Sequence, residues 1–466
     1  MRISQNVTPK TLRRRVEKMF EISAGKIRRV EKTWASAGGA PVFTVRGKYT
    51  SRGWTDWTQG FQVGAAILQF DATGEREFLA MGRSGTFERM AAHVSHTGVH
   101  DHGFNNVSTY GALWRLMGEK KVPFNPEEKH FYEMALKVSG AVQASRWTTL
   151  PNGGFIYSFN GPHSLFVDTI RSLRSLAIAH LLGHVLMGER DSRISLLERL
   201  VLHGLETAKN SVYYGQGRDI YDVRGRTAHE SIYNVHDGSY RCPSSQQGYS
   251  PFTTWTRGLA WAILGFAEQI EFLDFLLGCG GGGVGLNRSL LVAVRVTFLK
   301  AAEATADFYI ENSCADGIPL WDTGAGNAWR LGNYLSKASD PFNGWEPVDS
   351  SAAAIAAQGL IRLGNVLLKE GAGARGRRYR AAGFTIARTL LGEPYLCMDA
   401  RHEGLLLHSI YHRPNGWDRI QRGQKVPNGE SSMWGDYHLR ELGLLLLREA
   451  RGETYPVFFR RSGGEC

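Results

Sequence analysis

Apolar residues recur at spacings of three and four along almost the whole chain, in stretches cut by Gly, Pro and Asn, and strand-like alternation is scarce. That periodicity restricts the chain to an all-α fold. The stronger stretches cover 9–24, 60–72, 75–92, 109–118, 126–144, 164–188, 192–213, 255–277, 288–312, 350–369, 377–391 and 431–450. Twelve helical segments fit six helical hairpins, and no fixed-period repeat of the solenoid kind accompanies them. With 466 residues and 42% hydrophobic content the chain can bury a large core. The expected division is a basic helical extension over 1–40, one large helical domain over 41–450 and a tail over 451–466.

The net charge is +11, but residues 1–34 hold ten Lys/Arg against three Asp/Glu, so seven of those charges sit at one end. The rest of the chain lacks the distributed positive face that duplex binding needs, and no nucleic-acid partner is expected. Arg13, Arg14 and Arg15 read as a solvated helix face. No stretch reaches the roughly 18 apolar residues that span a bilayer, and no basic patch followed by an apolar run opens the chain. A soluble, cytoplasmic protein is expected, without a membrane partner. The five cysteines are scattered and show no metal-ligand spacing. Neither a metal nor another cofactor is expected, and the oligomeric state is left open.

Three long connections, Tyr214 to Thr254, Asp322 to Val348 and Tyr411 to Ser432, carry much of the aromatic and polar content. Such loops inside a compact domain commonly build a pocket mouth. The run Gly278 to Gly285 follows a helix rather than a strand, and so reads as a linker and not a phosphate cradle.

Chemistry candidates begin with His100, Asp101, His102, Gly103 and Phe104. A carboxylate between two imidazoles can have its pKa moved either way, yet the same residues can simply cap a helix. A second carboxylate, Asp168, lies in the apolar run Leu165 to Ile170, where burial would raise its pKa toward a general acid's range. An N-cap is the competing reading. The segment from Gln247 to Trp261 places Arg257 between Trp255 and Trp261, which supplies flat faces for sugar rings and a fork for a carboxylate. A spacing of six puts the two tryptophans on different helix faces, so one of them can belong to the core.

Taken together, HDHGF, the Asp168 segment, QGYS followed by WTRGLAW, DSSAAAIAAQGL from Asp349, LLLHSIYHRP and MWGDYHLREL resemble the unsaturated glucuronyl hydrolases, glycoside hydrolase family 88. They occur in that family's order, from about Trp57 to about Leu444. The resemblance implies an (α/α)6 barrel as the catalytic domain. It also implies that Asp168 is the general acid/base, that Asp101 is the second catalytic carboxylate, and that His229 and Gln247 assist. Trp57, His100, Trp255, Arg257 and Trp261 would then contact substrate, an oligosaccharide capped by an unsaturated uronic acid. The implied reaction protonates C4 of the enol ether and adds water at C5, so the two-carboxylate spacing rule of ordinary glycosidases does not apply.

The chain departs from the family pattern in several places. Ser172, Leu173 and Arg174 stand where an Asn-x-Pro stretch is usual, with Arg171 adding charge. Gln62 and Gln246 replace a usual aromatic and a usual His, and the segment from Asp168 to His229 is long. Arg413, Arg419, Arg422 and Lys425 form a basic loop that either contacts an acidic sugar or is solvated. Two alternatives follow: an unsaturated rhamnogalacturonyl hydrolase, and a catalytically silent carbohydrate-binding barrel.

Overall fold

The computed structural model describes residues 1–34, 39–52, 56–280 and 286–459. Twelve helical elements dominate it: α1 (Pro9–Trp34), α2 (Gln59–Thr73), α3 (Arg76–Arg89), α4 (102–118), α5 (Pro126–Ser145), α6 (169–181), α7 (196–211), α8 (Thr256–Gly278), α9 (Arg288–Glu311), α10 (Ser350–Lys369), α11 (Gly373–Leu390) and α12 (Met433–Ala450). The even-numbered helices pack side by side in a closed ring, α12 returning to α2, and each odd-numbered helix lies outside an even one. This is the (α/α)6 barrel.

Local chemistry explains the helix starts. Asn125 accepts from the main-chain N–H groups of Glu127 and Glu128 with Pro126 behind it, Asn287 caps α9, Asp349 caps α10 and Ser432 caps α12. The inner helices α8 and α10 are buried around most of their circumference, whereas α1 buries one stripe including Leu12, Val16, Met19, Phe20, Ile27 and Val30. Adjacent inner helices approach backbone to backbone at glycines. A Cβ on Gly60 would meet Asn105, on Gly103 Ser172, on Gly265 Ile170 and Arg171, and on Gly359 Leu264, each within 3 Å.

The structure modifies several expectations. The first helix continues past residue 24 to Trp34 and packs on α12 as an outer helix of the ring, although its charge had set it apart as an extension. The stretch 164–188 is not one helix. Ser164–Phe166 is a strand paired antiparallel to Glu230–Tyr233, which also pairs with Tyr240–Ser244, because this apolar run is buried on both faces. The glycine run is described only to residue 280; residues 281–285 lie outside the described residues. Ser350–Lys369 is long and apolar enough to cross a membrane, and 94% of its most apolar stretch is buried inside the barrel.

Candidate active site

One mouth of the barrel gathers the starts of the inner helices. Trp57 precedes α2, Asp101 precedes α4, Asp168 precedes α6, Trp255 precedes α8 and Asp349 precedes α10. Motifs separated by hundreds of residues therefore meet in one place. Among them lies a cavity of about 480 Å³ lined by Trp57, His100, Asp101, Asp168, Gln247, Trp255, Arg257 and Trp261, all expected from the sequence.

The two carboxylates occupy helix N-cap positions, yet neither side chain accepts a capping hydrogen bond. Asp349 at the equivalent place on α10 does cap, accepting from Ser351 and Ala352. Capping is thus the role of Asp349 and not of Asp101 or Asp168. The sheet brings His229 to Asp168: the Val167 N–H donates to the His229 carbonyl at 2.9 Å, one residue before the acid.

His100 stands between the two acids. Its Nε2 is 3.8 Å from Asp101 Oδ1 and 3.9 Å from Asp168 Oδ2, close enough for charge pairing but too long for hydrogen bonds. Burial alone would lower the imidazole pKa, but the two carboxylates outweigh it and hold His100 above its usual value. Burial raises Asp101, only partly offset by His100. Burial also acts to raise Asp168, but His100 and then His229 overcome it, so its pKa falls below the usual value. This corrects the expectation that burial would raise Asp168: sequence shows the apolar flank, not the cation that folding places beside it.

Four buried polar atoms at this point have no hydrogen-bond partner among the described residues: Asp168 Oδ1, His100 Nδ1 and Nε2, and His229 Nε2. His229 does not line the cavity itself. It is buried against Phe166 and Trp255, with Nδ1 accepting from the Gln246 N–H at 3.0 Å, which orients the ring and leaves Nε2 without a partner among the described residues. Burial lowers its pKa to about 4, so the ring is neutral near pH 7.

Arg257 departs from its expected role. One Nη pairs with Asp349 at 3.3 Å and donates to the Ile410 carbonyl; the other donates to Gln247 Oε1 at 2.9 Å and the Tyr411 carbonyl at 2.7 Å. With both forks spent inside the protein, Arg257 positions Gln247 and the 411–432 loop rather than holding a substrate carboxylate. Gln247 is half-buried, and its Nε2 makes no hydrogen bond within the described residues. Trp57 stacks on Trp434 at 5.2 Å, and Trp261 packs on Phe104 at 5.0 Å. Trp255 and Trp261 are each nearly buried, so both are core residues that also line the cavity.

The departures around Ser172 lie beneath the cavity. Ser172 Oγ donates to the His100 carbonyl at 2.6 Å and accepts from the Gly103 N–H at 3.0 Å, tying the two carboxylate segments together. Arg171 pairs with Glu268 at 3.1 Å and Glu441 at 2.7 Å, and Arg174 donates to the Gly103 carbonyl at 2.9 Å. None of the three lines the cavity. His102 turns away from the cavity, bonded to Ser139 and the His96 carbonyl. Sequence reasoning missed Phe159, stacked with His100 at 5.9 Å, and the outer wall of His412 and Trp417, for which no spacing signal existed.

No protein-family model matches the chain. Over 420 residues it is 24% identical to the unsaturated glucuronyl hydrolase of Bacillus sp. GL1, covering 88% of this chain and 90% of that protein. It is 23% identical over 389 residues to the unsaturated glucuronyl hydrolase of Formosa agariphila, covering 83% and 78%. The crystal structure of the Bacillus protein superposes with a TM-score of 0.71 at 20% identity, over 97% of this chain and all of that one. In sequence over more than four fifths of the chain, and in its barrel, this protein is similar to the unsaturated glucuronyl hydrolases.

Proposed function

We propose that this protein hydrates the C4–C5 double bond of an unsaturated uronic acid at the nonreducing end of an oligosaccharide, releasing the rest of the saccharide. The observation that carries this reading is the pair of buried, non-capping carboxylates, Asp101 and Asp168, meeting at His100 in a tryptophan-walled cavity. Two acids in different environments supply a proton donor and an anion in one site. The tryptophan faces suit a sugar ring, and the N-terminal ends of the inner helices bias the mouth toward an anion.

In the reaction, a carboxylic acid proton goes to C4, and the ring oxygen shares the resulting charge at C5. Water adds at C5 after losing its proton to a carboxylate. The hemiketal opens to a 5-keto acid, and the hemiacetal left at C1 expels the remaining saccharide. Asp168 acts as acid and then base, while Asp101 stabilises the cation. His229 Nε2 and Gln247 Nε2 orient the water. For Asp168 to donate, substrate binding must raise its pKa, which the uronate charge and the loss of water around the acid both do.

A second assignment is favoured by the free-site electrostatics: Asp101, raised by burial, donates, and Asp168, held anionic by His100, accepts the proton from water. The test is loss of the ultraviolet absorbance of the conjugated uronate, with unsaturated disaccharides from chondroitin, hyaluronan, heparin, gellan and rhamnogalacturonan lyases. Asp168→Asn should lower turnover by about 10²–10⁴-fold while binding persists. Undiminished turnover would remove Asp168 from the chemistry. Binding without consumption by the unmodified protein would identify a silent barrel.

A further inference from the structure

Outside the cavity, two loops present an aromatic and cationic cluster that hydration does not use. Trp329 is 71% exposed and Trp345 is 37% exposed. The Arg330 guanidinium lies 4.5 Å from the Trp329 ring centroid and 4.6 Å from that of Trp345. Lys425, from the 411–432 loop, places its Nζ 5.2 Å from the same Trp345 ring. Arg419, nearby in sequence, pairs with Glu430, whereas neither Arg330 nor Lys425 joins an ion pair among the described residues. Two cations thus converge on one exposed ring without a protein counter-ion. Like charges so placed repel, and an anion seated between them would relieve that repulsion.

The cluster is anchored to the walls of the cavity. Gln247 lines it, and two residues on, the Tyr249 N–H donates to Asp322 Oδ2 at 2.8 Å, pinning that wall to the 322–348 loop. Within this loop Glu346 accepts from Trp321 Nε1 at 2.9 Å and from the Asn327 N–H at 2.9 Å, which fixes the neighbours of both Trp329 and Trp345. Across the mouth, Trp417 lines the cavity and belongs to the same loop as Lys425. The Tyr249–Asp322 hydrogen bond joins one wall, and the chain from Trp417 to Lys425 joins the other, to the loops that carry the cluster.

We propose that Trp329, Arg330, Trp345 and Lys425 form a distal subsite for an acidic saccharide. It receives the reducing-end continuation of a substrate longer than a disaccharide, the indole faces stacking on sugar rings and the cations pairing with a carboxylate or sulfate. This rests on the hydration reading for its direction, since the unsaturated end occupies the cavity and the chain must leave through the mouth. An acidic polymer fits the uncompensated positive charge better than a neutral glycan does.

The test compares the full-length protein with Trp329→Ala/Trp345→Ala and with Arg330→Gln/Lys425→Gln, using unsaturated hyaluronan disaccharide and hexasaccharide. The unmodified protein should show kcat/KM about tenfold higher for the hexasaccharide. Both variants should lose that advantage while disaccharide turnover stays at the original rate. Equal turnover of the two lengths by the unmodified protein, or an advantage retained in both variants, would overturn the subsite. A second arm measures hexasaccharide binding to the same three proteins by titration. If nothing is consumed but the variants bind the hexasaccharide about tenfold more weakly, the subsite stands and the hydration reading fails. Binding of the hexasaccharide that both double substitutions leave unchanged, or a preference of the cluster for a protein or nucleic acid, would overturn it.

Discussion

Gly103 lies so close to Ser172 that a methyl group on its Cα would sit 2.1 Å from the Ser172 carbonyl oxygen. This contact sets how near the Asp101 turn comes to the Asp168 turn, because both acids stand at the starts of the two touching helices. Hydrogen bonds from Ser172 Oγ to the His100 carbonyl and from the Gly103 N–H to Ser172 Oγ hold the seam closed.

Gly103→Ala should therefore both destabilise and inactivate. Overpacking costs about 1–3 kcal/mol, and the obstacle is backbone, so the two helices must move apart and carry the carboxylates with them. Ser172→Ala should cost about 1 kcal/mol, since Gln143 still donates to the His100 carbonyl. Chemical denaturation and the absorbance assay check both. A Gly103→Ala protein of unchanged stability and turnover would mean that the seam does not set the acid spacing.

The His100 pair makes a signed pH prediction. Asp168 has a lowered pKa, so its contribution to stability is present above the unfolded carboxylate value and is lost as pH falls through the folded one. His100 has a raised pKa, so its contribution is present below the unfolded imidazole value and is lost as pH rises through the folded one. The stability gap between the unmodified protein and His100→Gln should be widest between about pH 4 and 6.5 and should shrink on both sides. Urea titrations across this range measure it. A gap independent of pH would show that His100 acts by packing alone.

Deleting residues 1–34 should abolish cooperative unfolding rather than trim an appendage. The helix buries Leu12, Val16, Met19, Phe20, Ile27 and Val30, each contributing about 1.5–3 kcal/mol. Their sum is comparable to the whole stability of a typical domain, about 5–15 kcal/mol. Calorimetry of the shortened chain decides this: a sharp transition near that of the full protein would make the segment dispensable.

Much of the barrel was legible because helix periodicity is a local property. The segments at 126–144, 288–312 and 350–369 nearly coincide with α5, α9 and α10, each beginning at a side-chain cap visible in sequence. Local pattern misjudged 164–166, where Leu165 and Phe166 suit a buried strand as well as a helix. Only the partner strand Glu230–Tyr233, more than sixty residues away, resolves the choice.

At the site, residue types and chain order were legible from the motifs, and eight of the nine residues singled out line the cavity. Their electrical states were not. Asp101 and Asp168 look alike in sequence, each placed before a helix, and only tertiary structure sets one pKa above and the other below the ordinary value, by burying both, placing His100 between them and adding His229 beside the second. Arg257 read equally well as a substrate fork until Asp349, Ile410, Tyr411 and Gln247 were seen to occupy it. The sequence by itself determined the all-α class, the helix spans and the set of chemically competent residues, because these follow from neighbours along the chain. The tertiary structure alone decided the ring closure, the pairing of the acids and the use of each donor, because burial, charge and hydrogen bonding depend on groups that folding brings from elsewhere.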